Sequence, residues 1–180
     1  RLVDVDEYGI VGADMLYGFV AGMLAGNYDI TELFIDGILR IIDHDMAAAA
    51  KVLEAINKYR AAAGVKEPLI LENGLKPAAE LVVKIAKGEM AFDADAAEAL
   101  GKAAAGYNVS GRPIGMSMNS SGSMMPVCVY TENVDLLVKN LSMLDEADQT
   151  NLKSASLIAI QLFEYGGVKY WVAVAANGKK

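Results

Sequence analysis

The chain has 180 residues, 54 % of them hydrophobic, a formal net charge of −7 and one cysteine. With no basic footprint, nucleic acid is not expected as a partner, and an anionic membrane surface has nothing to attract. A lone cysteine, Cys128, excludes an internal disulfide framework, which suits the cytosol and a disulfide-free bacterial secreted protein equally. The length accommodates one domain plus an extension, and Arg1 in place of an initiator Met is compatible with a removed signal peptide.

The first apolar run, Ile10 to Gly26, is at the short edge of what a bilayer needs, and Asp14 interrupts it. The expectation is therefore a soluble helix over 10–25, packed tightly against a neighbour, rather than a membrane span. Gly18, Gly22 and Gly26 repeat a GxxxG spacing that lets two backbones approach, so self-association through this helix is an alternative role. A second helix is predicted from Thr31, as N-cap, to Asp43. A third spans 46–63, with Ala49, Val52, Leu53, Ile56 and Tyr59 at spacings of three and four and Gly64 as its stop.

Pro68 and Gly74 bracket a connection, followed by helices at 75–87 and 93–105, the latter capped by Asp93 or Asp95. "GYNVSGRPIGMSMNSSGSMMP" then lacks periodicity and predicts a loop with at most one strand. "VCVY" (127–130) predicts a short strand, Thr131 the cap of another helix, and "DEADQT" a polar connection. "LIAIQLFEYGGVKYWVAVAA" alternates on both sides of Gly166-Gly167, the pattern of a tight hairpin. Helices first and a C-terminal hairpin last predict an α+β fold with an antiparallel sheet covered by helices.

The side chains offer little chemistry. His44, in "DHD" at a predicted helix end, suits the helix dipole without further function. Cys128, inside a β-like run, reads as a small buried hydrophobe. Ser120, Ser121 and Ser123 lack a G-x-S-x-G elbow, and His44 is the only imidazole available as a base. The methionines Met116, Met118, Met124 and Met125 suit either an adaptable lipid- or protein-binding surface or the filling of a core gap. Asn57 and Arg60 lie one turn apart; the simplest expectation is that Asn57 bonds backbone and Arg60 pairs with a carboxylate. Asn108, Asn119 and Asn140 begin N-x-S sequons, which matter only in a glycosylating pathway.

"VLEAINKYRAAAGVKEPLILENGLKPAAEL" resembles the first motif of the CAP superfamily, the cysteine-rich secretory, antigen 5 and pathogenesis-related (SCP-like) proteins. The matching positions are Leu53, Ile56, Asn57, Arg60, Gly64, Pro68, Leu69, Leu75 and Ala79. "AAAGYNVSG", with Tyr107, is similar to the segment before that family's central loop. "NLKSASLIAIQLFEYGGVKYWVAVAA", with Tyr170 and Trp171, is similar to its C-terminal corner and hairpin. The resemblance covers about residues 47–176. It implies an α-β-α sandwich in a CAP-like domain at 47–180, preceded by a helical extension at 1–46.

Family members usually carry two His and two Glu in a cleft able to hold zinc. The corresponding stretches here read "AFDAD", where Phe92 is kept, "RPIGMSMN" and "DEADQTN", without a His at either expected place and without the Glu that follows the "GY". Imidazole is what lets such a cleft hold zinc at neutral pH, so neither a metal nor a cofactor is expected. The expected function is a non-catalytic extracellular binding or interaction module. It would be secreted or at the cell surface by resemblance, with the cytoplasm compatible, and would bind a lipid, a cell-wall component or a protein surface. Candidate ligand-binding residues are Met116, Met118, Asn119, Ser120, Ser121 and Met124. The alternatives are a hydrolase with a relocated site at Ser120 or Ser121, and a structural protein that self-associates through Gly18, Gly22 and Gly26.

Overall fold

The computed structural model describes residues 8, 13–26, 29–30, 32–35, 44–109 and 111–180, which fall into two compact units, 1–48 and 49–180. In the first, α1 (Ala13–Gly26) is the expected apolar helix. No described helix is long and apolar enough to cross a membrane. Among the described residues, a Cβ built at Gly18, Gly22 or Gly26 meets nothing within 4 Å, so the expected tight packing along this stripe is not made there. The second predicted helix is corrected at its start: Glu32 to Ile35 are not helical, while Thr31 and residues 36–43 lie outside the described residues.

The helix α2 (His44–Ala62) begins at His44; the end of the second predicted helix, on which the dipole reading of His44 rests, lies outside the described residues. Val52, Ala55, Ile56 and Arg60 form its buried face. It stops at Gly64, whose φ of 87° is left-handed. The amides of Gly64 and Val65 donate back to the carbonyls of Ala61 and Arg60, closing the last turn as a Schellman motif does.

The main sheet has the order β1–β5–β6–β2, from β1 (Ile70–Leu71), β2 (Tyr107–Val109), β5 (Leu157–Tyr165) and β6 (Val168–Lys179). The hairpin β5–β6 pairs Tyr165 with Val168 across Gly166 and Gly167, both at positive φ, as a two-residue turn requires. The expected all-antiparallel sheet is corrected to a mixed one: β1 runs parallel to β5, pairing Ile70 with Leu157. A long crossover separates the two strands, and only a crossover can join parallel neighbours.

One face of β5 and β6, carrying Ala159, Phe163, Val172, Val174 and Ala176, packs on α3 (Lys76–Ala86) and α4 (Ala94–Ala103). Ala78, Ala79, Val82, Ile85 and Ala86 make the apolar stripe of α3, and the Asp93 carboxylate caps α4 by accepting from the Ala96 amide at 2.9 Å. The predicted loop at 106–126 instead holds β2 and a small two-stranded sheet, β3 (Met116–Met118) and β4 (Met124–Pro126). The strand predicted at 127–130 is reduced to a single bridge, Val129 to Tyr170. The cap of α5 (Val134–Leu141) is Asn133 rather than Thr131, whose hydroxyl instead accepts from the Asn133 amide. The predicted connection "DEADQT" is the start of α6 (Glu146–Ser154), capped by Asp145.

The end of the sheet is tied by one carboxylate. Glu72 accepts from the Tyr107 hydroxyl at 3.0 Å and the Gly74 amide at 3.2 Å, and pairs with Lys179 at 3.1 Å. Lys179 above all, then the Gly74 amide and Tyr107, hold the Glu72 carboxyl below its ordinary range. A carboxyl with a depressed folded pKa contributes stability that is full above its unfolded value, near 4.3, and lost as pH falls through the folded value. Glu72→Gln is therefore expected to destabilise the protein at neutral pH, with the gap to the parent closing as pH drops below about 4. Urea denaturation across that range checks it; a gap independent of pH would contradict the tie.

Candidate functional site

The turn of the β3–β4 hairpin is built by Asn119. Its Oδ1 accepts from the amides of Ser121 and Ser123 at 3.0 and 2.9 Å and from the Ser121 hydroxyl at 2.7 Å. Asn119 and Ser121 thus have a structural task, and Ser120 and Met118 stand exposed beside them, Met118 at 59 %. Met124 is partly buried and packs on the core with Met116. The hairpin pairs Met118 with Met124, but the six candidates do not share one binding surface: Met116 and Met124 pack into the core, while Met118 and Met125 face solvent.

Met116 alone of the six lines a cleft of about 440 Å³ at the foot of the hairpin. Cys128 and Trp171 join Met116 in its lining, and all three are buried. Val127 and Val129 flank the cleft on one side; Asn140, Met143 and Leu144, at and after the end of α5, contribute from the other segment. Asp145, the cap of α6, and Asp148, in its first turn, supply its charged part.

Arg112 occupies both carboxylates. Its guanidinium pairs with Asp145 and donates through Nε to Asp148 at 3.2 Å. Asp148 is only 2 % exposed, and its second oxygen accepts from the Gly115 amide at 3.4 Å. Asn151 completes the lock by donating to the Arg112 carbonyl at 3.1 Å, while its own Oδ1 is buried with no hydrogen-bond partner among the described residues. Burial, reinforced by Asp148, pushes the Cys128 thiol up to about 12, so it is neutral at pH 7 and a poor nucleophile. Among the described residues no group of three or more His, Cys, Asp and Glu side chains is placed to hold a metal ion.

The remaining sequence candidates have structural surroundings. Asn57 exchanges two bonds with the Leu69 backbone, Nδ2 to its carbonyl at 3.1 Å and Oδ1 from its amide at 2.7 Å. Among the described residues Arg60 does not pair with a carboxylate, which corrects the expectation. Its buried guanidinium donates to the carbonyls of Leu152, Lys153, Ala155 and Glu67, three of them at the C-terminal end of α6, where a cation meets the negative end of the helix dipole. Burial pulls the Arg60 pKa below its ordinary value, Glu67 opposing. Tyr170 stacks on Phe163 at 6.1 Å, and Tyr107 belongs to the Glu72 tie.

Sequence reasoning missed Arg112, Asp145 and Asp148. The signal was present: Asp145 three residues before Asp148, with Glu146 between them and Lys153 at the far end, is the charge pattern of a capped helix. It was masked because the buried face of α6 is Asp148, Asn151 and Leu152, two polar residues and one apolar, which gives no hydrophobic period. Comparison of the chain with protein-family models, with curated proteins and with solved structures returns no match.

Proposed function

We propose that residues 47–180 are a degenerate CAP-like domain, an α-β-α sandwich that acts as a non-catalytic, secreted or cell-surface binding module with the cleft at Met116, Cys128 and Trp171 as its ligand site. The sandwich is supported by β5 and β6, in which Ile158 to Ile160 and Trp171 to Ala176 are buried without interruption, so both faces of the hairpin are covered. The family's first motif is supported by the pair of backbone bonds from Asn57 and by Arg60, which ties α2 to the end of α6.

The observation that carries the non-catalytic reading is the Arg112 lock. By the resemblance, the family's first Glu falls in "RPIGMSMN" and its second His in "DEADQTN". In this chain those two stretches meet through Arg112 on Asp145 and Asp148. A guanidinium stands where a cation ligand set would need free lone pairs, and both acids already accept hydrogen bonds. Equimolar zinc is therefore expected to leave the melting temperature unchanged. A rise of several degrees that a chelator reverses would overturn this reading, because a ligand that binds the folded state must stabilise it.

A further inference from the structure

The segment Cys128 to Tyr130 lies along β6 on the side away from β5, beyond β2 and the Ile114 bridge. The Trp171 amide donates to the Cys128 carbonyl at 2.9 Å, and the Tyr130 amide to the Lys169 carbonyl at 2.8 Å. Val129 and Tyr170 are thus a non-hydrogen-bonded antiparallel pair, and in such a pair both main-chain groups point away from the partner strand. The hairpin leaves this edge just before, closed by the Val127 amide on the Gly115 carbonyl at 2.9 Å. Beyond it, the Val129 amide and carbonyl have no protein partner among the described residues. Val129 lines the cleft, and so does Asn140, whose side-chain amide, a mimic of a peptide group, also makes no hydrogen bond among the described residues.

The cleft therefore combines the outward amide and carbonyl of Val129, the Asn140 carboxamide, a buried floor of Met116, Cys128 and Trp171, and an unbalanced charge. Arg112 offers one positive charge against the two negative charges of Asp145 and Asp148, in a chain of net charge −7. An acyl chain would satisfy the floor and leave the amides unbonded. A strand would satisfy all of these features. We infer that the cleft takes an extended peptide of a partner protein, with apolar side chains flanked by Lys or Arg, by strand addition at Val129 with Asn140 bonding the peptide main chain. The inference rests on the binding-module reading and names its ligand class. An N-glycan on Asn140, which begins a sequon, would block it.

The test is a titration of the ¹⁵N-labelled full chain with acetyl-Lys-Val-Leu-Val-Lys-amide, followed by amide and indole shifts. The Val129 amide, the Asn140 side chain and the Trp171 indole are expected to move together and saturate. N-methylating the peptide one residue at a time should weaken binding about tenfold at alternate positions only, since a strand offers every second amide to its neighbour. Asn140→Ala, at a partly exposed side chain without hydrogen bonds among the described residues, should fold and bind about tenfold more weakly. Met143→Lys, at a side chain 76 % exposed, sets a cation against the flanking lysines of the peptide and is a second variant expected to weaken binding without unfolding the chain. Shifts that saturate elsewhere, a response to N-methylation that does not alternate, or full affinity in both variants would overturn the inference. Decanoate moving these signals where the peptide does not would also overturn it, while leaving the binding module standing. Zinc moving them in the absence of peptide would overturn the module reading itself.

Discussion

Arg60→Met is expected to lower stability by about 3 kcal/mol or more, seen as a fall in melting temperature of roughly 6–12 °C. The guanidinium is 2 % exposed and donates to four carbonyls, at 2.9 Å to Ala155, 3.1 Å to Glu67, 3.2 Å to Lys153 and also to Leu152. Methionine keeps much of the volume and removes every donor. The carbonyls at the end of α6 then lose their partners where water has little access, and each costs about 1–3 kcal/mol when left unpaired. Part of this is offset, because no charge is desolvated in the variant. Arg60→Lys should fall between, since one ammonium has three donors and no planar fork to span four acceptors. Urea and thermal denaturation decide it, and an Arg60→Met protein melting within 2 °C of the parent would show that these bonds contribute nothing net.

Gly115→Ala is the second large effect, expected at about 2 kcal/mol or more. Gly115 has φ +87°, a conformation costly to any residue with a Cβ. The added carbon would also lie 2.9 Å from the Trp171 carbonyl oxygen and 3.3 Å from the Cys128 sulfur. The oxygen belongs to β6 and cannot swing aside as a flexible side chain would, so the segment must move off the sheet edge. That shift loosens the floor of the cleft, and Trp171, 3 % exposed in the parent, should show red-shifted fluorescence together with the lost stability. An alanine variant with parental emission and parental midpoint in urea would mean that the close approach is relieved without cost.

Much of the fold was legible before any coordinates, and for identifiable reasons. The hairpin β5–β6 announced itself because Gly166-Gly167 is the one dipeptide here that permits positive φ twice in succession between alternating apolar runs. The helices α2, α3 and α4 were legible because their buried faces are largely apolar and their ends are marked by Gly64, Gly74 and Asp93. The helix α6 and the strands β2, β3 and β4 were not. The buried face of α6 is polar, and the three strands are three residues each, too short to show a period.

The candidate site divides in the same way. Its methionines and serines were visible as residue types, yet only Met116 reaches the cleft, and Asn119 and Ser121 are used by their own turn. Sequence alone determined that the chain is an α+β protein with a C-terminal glycine hairpin, that it has one imidazole and one thiol to work with, and that Asn57 and Arg60 belong to a scaffold. Tertiary structure decided what those scaffold residues touch, that Arg112 holds Asp145 and Asp148, and that Val129 turns its amide and carbonyl away from β6. The reason is range. Period, caps and turn residues act over a few positions, whereas Arg60 meets Ala155 and Arg112 meets Asp148 across tens of residues, a pairing set only when the helices and the sheet edge have packed.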